Sequence, residues 1–340
     1  MNQKTIKMIG GEKTLEQGEL YQQALIIIEL LQEEILKKYW MAGSIYLIKM
    51  RRYLLTIVLL ISGYTAQAQV QENMLMERFN MNAFNPAYVG SEGREVSFTT
   101  RSFWQGIAGS PKTSYFFYSG NPKKNLSLGA SVISNKVFID TRTQYAIDAS
   151  YKLEMGGGSN LFLGLKAGAT NKNTDIDGLK RITQETNPAI SSDGNAIFPV
   201  FGFGALLKSE KFYVSVSIPN FLNPVKFVKD DAFIGSEKPT TYLLAGTSFD
   251  TSFFGSKLKP FISAKLIPDG QNQTHIGGTF DFKDILEIGG GYKSIGYSNI
   301  LLIVKTKFGL TAAYAYDFGI PNGASAVNRS GNEIFVKFKF

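Results

Sequence analysis

The chain has 340 residues, 44% apolar and 19% charged, with 34 Gly, 26 Phe and 16 Tyr, a glycine and aromatic load that departs from an average soluble domain and favours β structure. It has no Cys and a single His, which excludes disulfides, thiolate metal sites, a Cys nucleophile, a lipidated cysteine, a His-cluster zinc site and a two-histidine relay. The formal charge of +8 divides into 8 Lys/Arg against 6 Asp/Glu over residues 1–68 and 28 against 22 thereafter; these charges are scattered singly, not gathered in a basic block with interleaved aromatics, so no nucleic-acid partner is expected.

In chain order, Leu25 to Ile28 with Leu30, Leu31, Ile35 and Leu36 makes an apolar helix pattern that Glu29, Glu33 and Glu34 interrupt as a membrane span. Lys49, Arg51 and Arg52 then precede the apolar run Leu54 to Ile61 and the triplet Ala66-Gln67-Ala68. That order is basic region, short apolar core and A-x-A cleavage site, so 50–68 reads as a signal peptide cut between Ala68 and Gln69. A signal peptide belongs at an N-terminus; residues 1–49 therefore read as an upstream extension from a mis-assigned start, with Met50 as initiator, a real N-terminal helix being the alternative.

Residues 69–94 read as a non-strand plug segment ahead of a barrel at 95–340. Within it Asn80 to Gly90 does not alternate, and Asn85-Pro86 with Gly90 is turn chemistry. Arg101, Trp104, Gly106, Gly109, Pro111, Lys112 and Thr113 follow, before an aromatic strand around Tyr115 to Tyr118.

Beyond that point apolar and small or polar residues alternate with the period of two of a strand with unlike faces. Tyr145, Ile147, Ala149, Tyr151 and Leu153 oppose Gln144, Ala146, Asp148, Ser150 and Lys152, and Phe212, Val214, Val216 and Ile218 oppose Lys211, Tyr213, Ser215 and Ser217. Segments near 95–105, 113–119, 125–137, 143–154, 159–170, 198–208, 211–221, 240–250, 258–268, 273–283, 285–294, 298–308, 309–318 and 332–340 carry this rhythm. That is about fourteen strands, an even number, each of about ten residues as a tilted transmembrane strand requires. A soluble β-sandwich would alternate too. The export signal argues against it, as do aromatics at strand ends (Tyr151, Phe198, Phe201, Tyr242, Phe280, Phe282, Tyr292, Tyr297, Tyr314, Tyr316) that read as interfacial girdles. The expected fold is an all-β, antiparallel up-and-down transmembrane barrel. Short turns at Ser209-Glu210 and Lys283-Asp284 should face the periplasm, and the longer stretches 171–197, 222–239 and 319–331 should face outward. Gly164, Gly168, Gly277, Ala313 and Ala315 are small inward residues that leave space or admit a plug. In the last strand Ile334, Val336, Phe338 and Phe340 share one face.

The elements Asn85-Pro86-Ala87-Tyr88 with Gly90, then Arg101, Trp104, Gly106, Gly109, Pro111, Lys112 and Thr113, resemble those of the PorP/SprF family. One departure is Phe103 before Trp104, where members more often carry Gln. The resemblance, running from about Gln69 to Phe340, implies a bacterial outer-membrane protein of the type IX secretion and gliding machinery, partnering secretion components and a secreted surface protein. It assigns the early motif to partner binding or to bracing a barrel end. The terminal strand resembles that of other outer-membrane barrels, which implies that Phe338 and Phe340 signal to the barrel-insertion machinery. Outer-membrane lipid completes the expected partners. No cofactor, metal or catalytic residue is expected: His275 reads as a lining imidazole, there is no G-x-S-x-G element, and Asp175 to Gly178 lacks the further carboxylates of a calcium loop. The competing function is a porin or FadL-like barrel for small or hydrophobic solutes.

Overall fold

A computed structural model describes residues 6–8, 11–13, 74–104, 109–120, 125–175, 195–222, 239–268, 270–319 and 330–340. The chain divides into two units, 1–66 and 67–340. In the first, β1 (Ile6–Met8) and β2 (Gly11–Lys13) pair as an antiparallel hairpin. The helix pattern of 25–36, the leader 50–68 and its cleavage point at Ala68 and Gln69 lie outside the described residues.

The second unit begins with a short helix, α1 (Met81–Phe84), and a 3-10 turn at Pro86–Tyr88. The strands follow: β3 (Glu95–Phe103), β4 (Lys112–Gly120), β5 (Leu126–Val137), β6 (Asp140–Gly156), β7 (Ser159–Thr174), β8 (Ala196–Lys208), β9 (Phe212–Ile218), β10 (Thr241–Thr247) and β11 (Phe249–Asp250). The remainder are β12 (Ser256–Leu266), β13 (Gln273–Phe282), β14 (Leu286–Lys293), β15 (Tyr297–Lys305), β16 (Leu310–Gly319) and β17 (Gly331–Lys339). From β3 to β10 and from β11 to β17 each strand pairs antiparallel with its neighbour in sequence, β10 pairs with β12, and β17 returns to β3 with Lys339 opposite Glu95 and Gly331 opposite Phe103. β11 prolongs β10 past a break at Ser248, and both lie on β12, so the wall is a closed barrel of fourteen strands. Closure leaves no unpaired edge, the condition for backbone to cross hydrocarbon as strands.

The two faces are inverted relative to a soluble protein. On β6 and β7, Ile147 and Leu165 are 64% and 68% exposed on the outside, whereas Asp148 and Lys166 are buried inside. Apolar side chains out and polar side chains in are stable only where the outside solvent is lipid. Among the described residues no helix is long and apolar enough to cross a membrane; the strands do so.

The hairpins Ser209-Glu210 and Lys283-Asp284 share one mouth with the C-terminus, and the connections 175–195, 219–240 and 320–330 all leave from the other. These are called here the short-turn and long-loop mouths. Two expectations need correction. β7 runs to Thr174, so 171–174 is strand and not loop; ladder pairing with β6 needs no apolar outer face, and the pattern fades there only because Asn171 and Asn173 point outward. Phe198, Tyr242 and Tyr297 belong to no girdle: each occupies a lumen-facing position, Phe198 buried at 4% exposure and Tyr242 stacked on Phe84 with ring centroids 4.8 Å apart. A strand-end aromatic reveals its face only through its register.

Candidate functional site

Residues 74–93 lie inside the barrel, and their folding follows from local chemistry. Asn85 caps the 3-10 turn, its Oδ1 accepting from Ala87 N at 2.8 Å, with Pro86 at the first position, where it has no N–H to leave unpaired. The same Asn85 amide donates to Ala205 O at 2.9 Å and Ser215 Oγ at 2.8 Å, fixing the turn to β8 and β9. Opposite, Ser150 donates to Ala87 O at 3.1 Å, and a Cβ on Gly164 would stand 2.1 Å from Ala87 N. Only glycine lets the plug backbone approach the wall so closely. Tyr88 is buried with Met81, Phe162, Leu206 and Leu244; burial, then the nearby Glu95 and Glu92, push its hydroxyl well above the usual phenol range. Gly90, at φ 76°, donates its N–H to Ser119 Oγ at 2.9 Å and turns the chain toward β3.

Toward the long-loop half, Glu333 of β17 accepts from Leu75 N at 2.5 Å, Met76 N at 3.2 Å and Asn80 Nδ2 at 3.1 Å. Leu75 and Met76 pack with Leu301, Ile303, Ala313, Ala315 and Phe335. Lys293 donates to Met74 O at 2.8 Å and faces Glu77, which also meets Ser263 and His275. Burial alone would raise the Glu77 carboxyl, but Lys293 with His275 and Ser263 outweighs it and holds the group at about 2. At the short-turn mouth Glu92 joins Lys208 of β8 to Lys339 of β17; Lys208, Lys337 and Lys339 together overcome burial and keep its carboxyl well below the usual range. Arg78 pairs with Glu287, which also binds Lys305. Among the described residues, polar bonds from this segment therefore reach nine strands, β3, β4, β6, β8, β9, β12, β13, β14 and β17, and apolar packing adds others. The plug and wall leave a cavity of about 460 Å³ at the short-turn mouth, where Lys208, Lys211, Lys337 and Lys339 line it with Arg78 and Glu92.

The two parts of the early motif do not meet. Asn85, Pro86, Tyr88 and Gly90 sit in the lumen. Trp104, Gly109 and Pro111 form the β3–β4 connection at the long-loop mouth, where Trp104 N donates to Ser330 O at 2.9 Å, Gly109 O accepts from Phe138 N at 2.9 Å and Pro111 O from Phe103 N at 3.0 Å. Gly106 lies outside the described residues. Thr113 faces the lumen, and Lys112 points outward. Arg101 is buried, bound to Asp317 at 2.6 Å, and stands 3.8 Å from Glu333, the carboxylate that receives the plug. Phe338 and Phe340 are exposed on the outer face, rings stacked 6.2 Å apart. His275 lines the lumen, 3.0 Å from Asn299. Sequence reasoning missed Glu77, Arg78, Asn80 and Glu92 on the plug and Glu333, Lys293 and Lys208 on the wall. The signal was present in the strands, as charged residues at inward positions, but nothing in the pattern paired them.

A family model described as type IX secretion system membrane protein PorP/SprF matches residues 64–338. The chain belongs to the PorP/SprF family. As a PorP/SprF barrel it is an outer-membrane protein of the type IX secretion system, of a family and fold that serve secretion or transport and not a known enzyme class. No curated protein matches the chain. Similar solved structures include the CymD monoaromatic hydrocarbon channel, at 12% identity over 82% of this chain and 96% of that one with a TM-score of 0.45. The Pseudomonas putida toluene transporter TodX is similar at 10% identity over 74% and 90%, TM-score 0.43, and Acinetobacter baumannii Omp33 at 9% over 73% and 98%, TM-score 0.41.

Proposed function

We propose that this PorP/SprF protein is a plugged, non-enzymatic accessory barrel that partners the secretion or surface attachment of a secreted cargo, and that its lumen is not an open route for solutes. The observation that carries this reading is the plug. Residues 74–93 occupy the lumen through bonds to many strands around the wall, several of them to the buried charged groups Glu333 and Lys293. Such bonds are costly to break one at a time, since each leaves a partner buried and unsatisfied. A closed barrel serves best as a scaffold, with partners docking on its mouths; the cavity ringed by Lys208, Lys211, Lys337 and Lys339 is the surface offered to periplasmic components.

The test combines a gentle-detergent pull-down of the tagged native protein from envelopes with planar-bilayer recording of the purified barrel. Recovery of type IX components or one large secreted surface protein, with a silent bilayer, is the expected result. Recovery of the barrel alone together with stable, large conductance would overturn the reading in favour of solute transport.

A further inference from the structure

Lys112 belongs to the early motif yet points away from the lumen, and the wall around it departs from the rest of the barrel. On the outer face Lys112 stands directly opposite Lys136, and Lys136 opposite Thr141. One row toward the membrane are Ser114, Ser134 and Thr143, the last two hydroxyls 3.2 Å apart. The next row is Phe116, Val132 and Tyr145, where the apolar band begins. Across the barrel, among the described residues, β14 and β16 carry no such double polar row: Tyr292 and Phe318, 49% and 41% exposed, hold outward positions next to the strand ends at Lys293 and Gly319.

Like charges directly opposite on a sheet repel. Among the described residues neither Lys112 nor Lys136 meets a carboxylate, whereas the inward-facing Lys166, Lys208, Lys293 and Lys305 each do. Four residues separate Lys112 from Phe116, about 13 Å along a strand and roughly 10 Å along the membrane normal after the usual tilt. The headgroup layer is roughly 5–8 Å deep on each side, and a lysine stem spans the difference by lying down along the wall. Two ammonium groups thus reach the level of headgroup phosphates, above a shelf of hydroxyl donors.

We propose that this outer face of β4–β6 at the long-loop mouth binds the phosphorylated headgroup of an outer-leaflet glycolipid, with Lys112 and Lys136 as its two cationic contacts. The site fixes the rotational setting of the barrel against its lipid neighbours and is independent of the plug and of the cargo reading.

The full-length protein, purified in mild detergent, is mixed with a bisphosphorylated lipid A and followed by native mass spectrometry. The double variant Lys112→Gln, Lys136→Gln should retain the lipid about tenfold less than the parent or weaker still, while Lys112→Arg, Lys136→Arg keeps it and Lys307→Gln, exposed at the opposite mouth, leaves binding unchanged. Heat-modifiable gel mobility confirms that each variant is a folded barrel. Undiminished binding in the double Gln variant, or an equal loss in Lys307→Gln, overturns the site. Complete displacement by millimolar inorganic phosphate would assign it to free anions and overturn the lipid headgroup as ligand.

Discussion

Replacing Glu333 by Ala should undock the plug without dismantling the barrel. The Glu333 carboxylate takes bonds from two plug N–H groups and the Asn80 amide, whereas β17 is held in the wall by its backbone ladder to β3 and β16. Each buried donor left without a partner costs about 1–3 kcal/mol, so three amount to roughly 3–9 kcal/mol against docking. That is on the order of a hundred- to millionfold rise in the undocked fraction. Because the chain has no Cys, Ala83→Cys on α1, a position 5% exposed, supplies a single reporter thiol. The assay is its labelling by a water-soluble maleimide, in parallel with planar-bilayer conductance. Glu333→Ala should label at least about a hundredfold faster and show step-like openings, with Glu333→Gln in between. If the Ala variant labels at the parent rate and the bilayer stays silent, Glu333 does not hold the plug and the reasoning fails.

Gly164→Leu should displace the Pro86-Ala87 turn, because a Cβ there stands 2.1 Å from Ala87 N, and the same thiol assay should report fast labelling; parental protection would show that the wall yields instead. Lys166→Met should destabilise the barrel by about 3–5 kcal/mol, leaving Asp148 buried and unpaired, and adding Asp148→Leu should recover most of it; thermal unfolding that ranks the single variant equal to the parent refutes the pair's role. The Glu77 carboxyl sits at about 2 in the folded chain against an ordinary 4.5, so its contribution is fully present above about 4.5 and is lost as pH falls toward 2. Acid-induced plug exposure should therefore set in below pH 4.5 and shift little in Glu77→Gln; release already complete near neutrality would exclude this carboxylate as the acid-sensitive anchor.

Alternation along β6, β9, β16 and β17 was enough to specify a barrel, because a lipid-facing and a lumen-facing row repeat every two residues whatever the rest of the chain does. Strand number and the grouping of the long connections at one mouth followed from turn chemistry and parity alone. The face of Phe198, Tyr242 and Tyr297 did not, since a strand-end aromatic serves a girdle or a lumen equally well until its neighbours are paired. Nor was the meeting of Glu333 with Leu75, separated by 258 residues, or of Glu92 with Lys208 and Lys339 legible in a sequence where each charge stands alone. Periodicity is a local property and survives in one dimension; the pairing of buried charges depends on barrel closure bringing β8 and β17 around to a common plug, which only the tertiary structure decides.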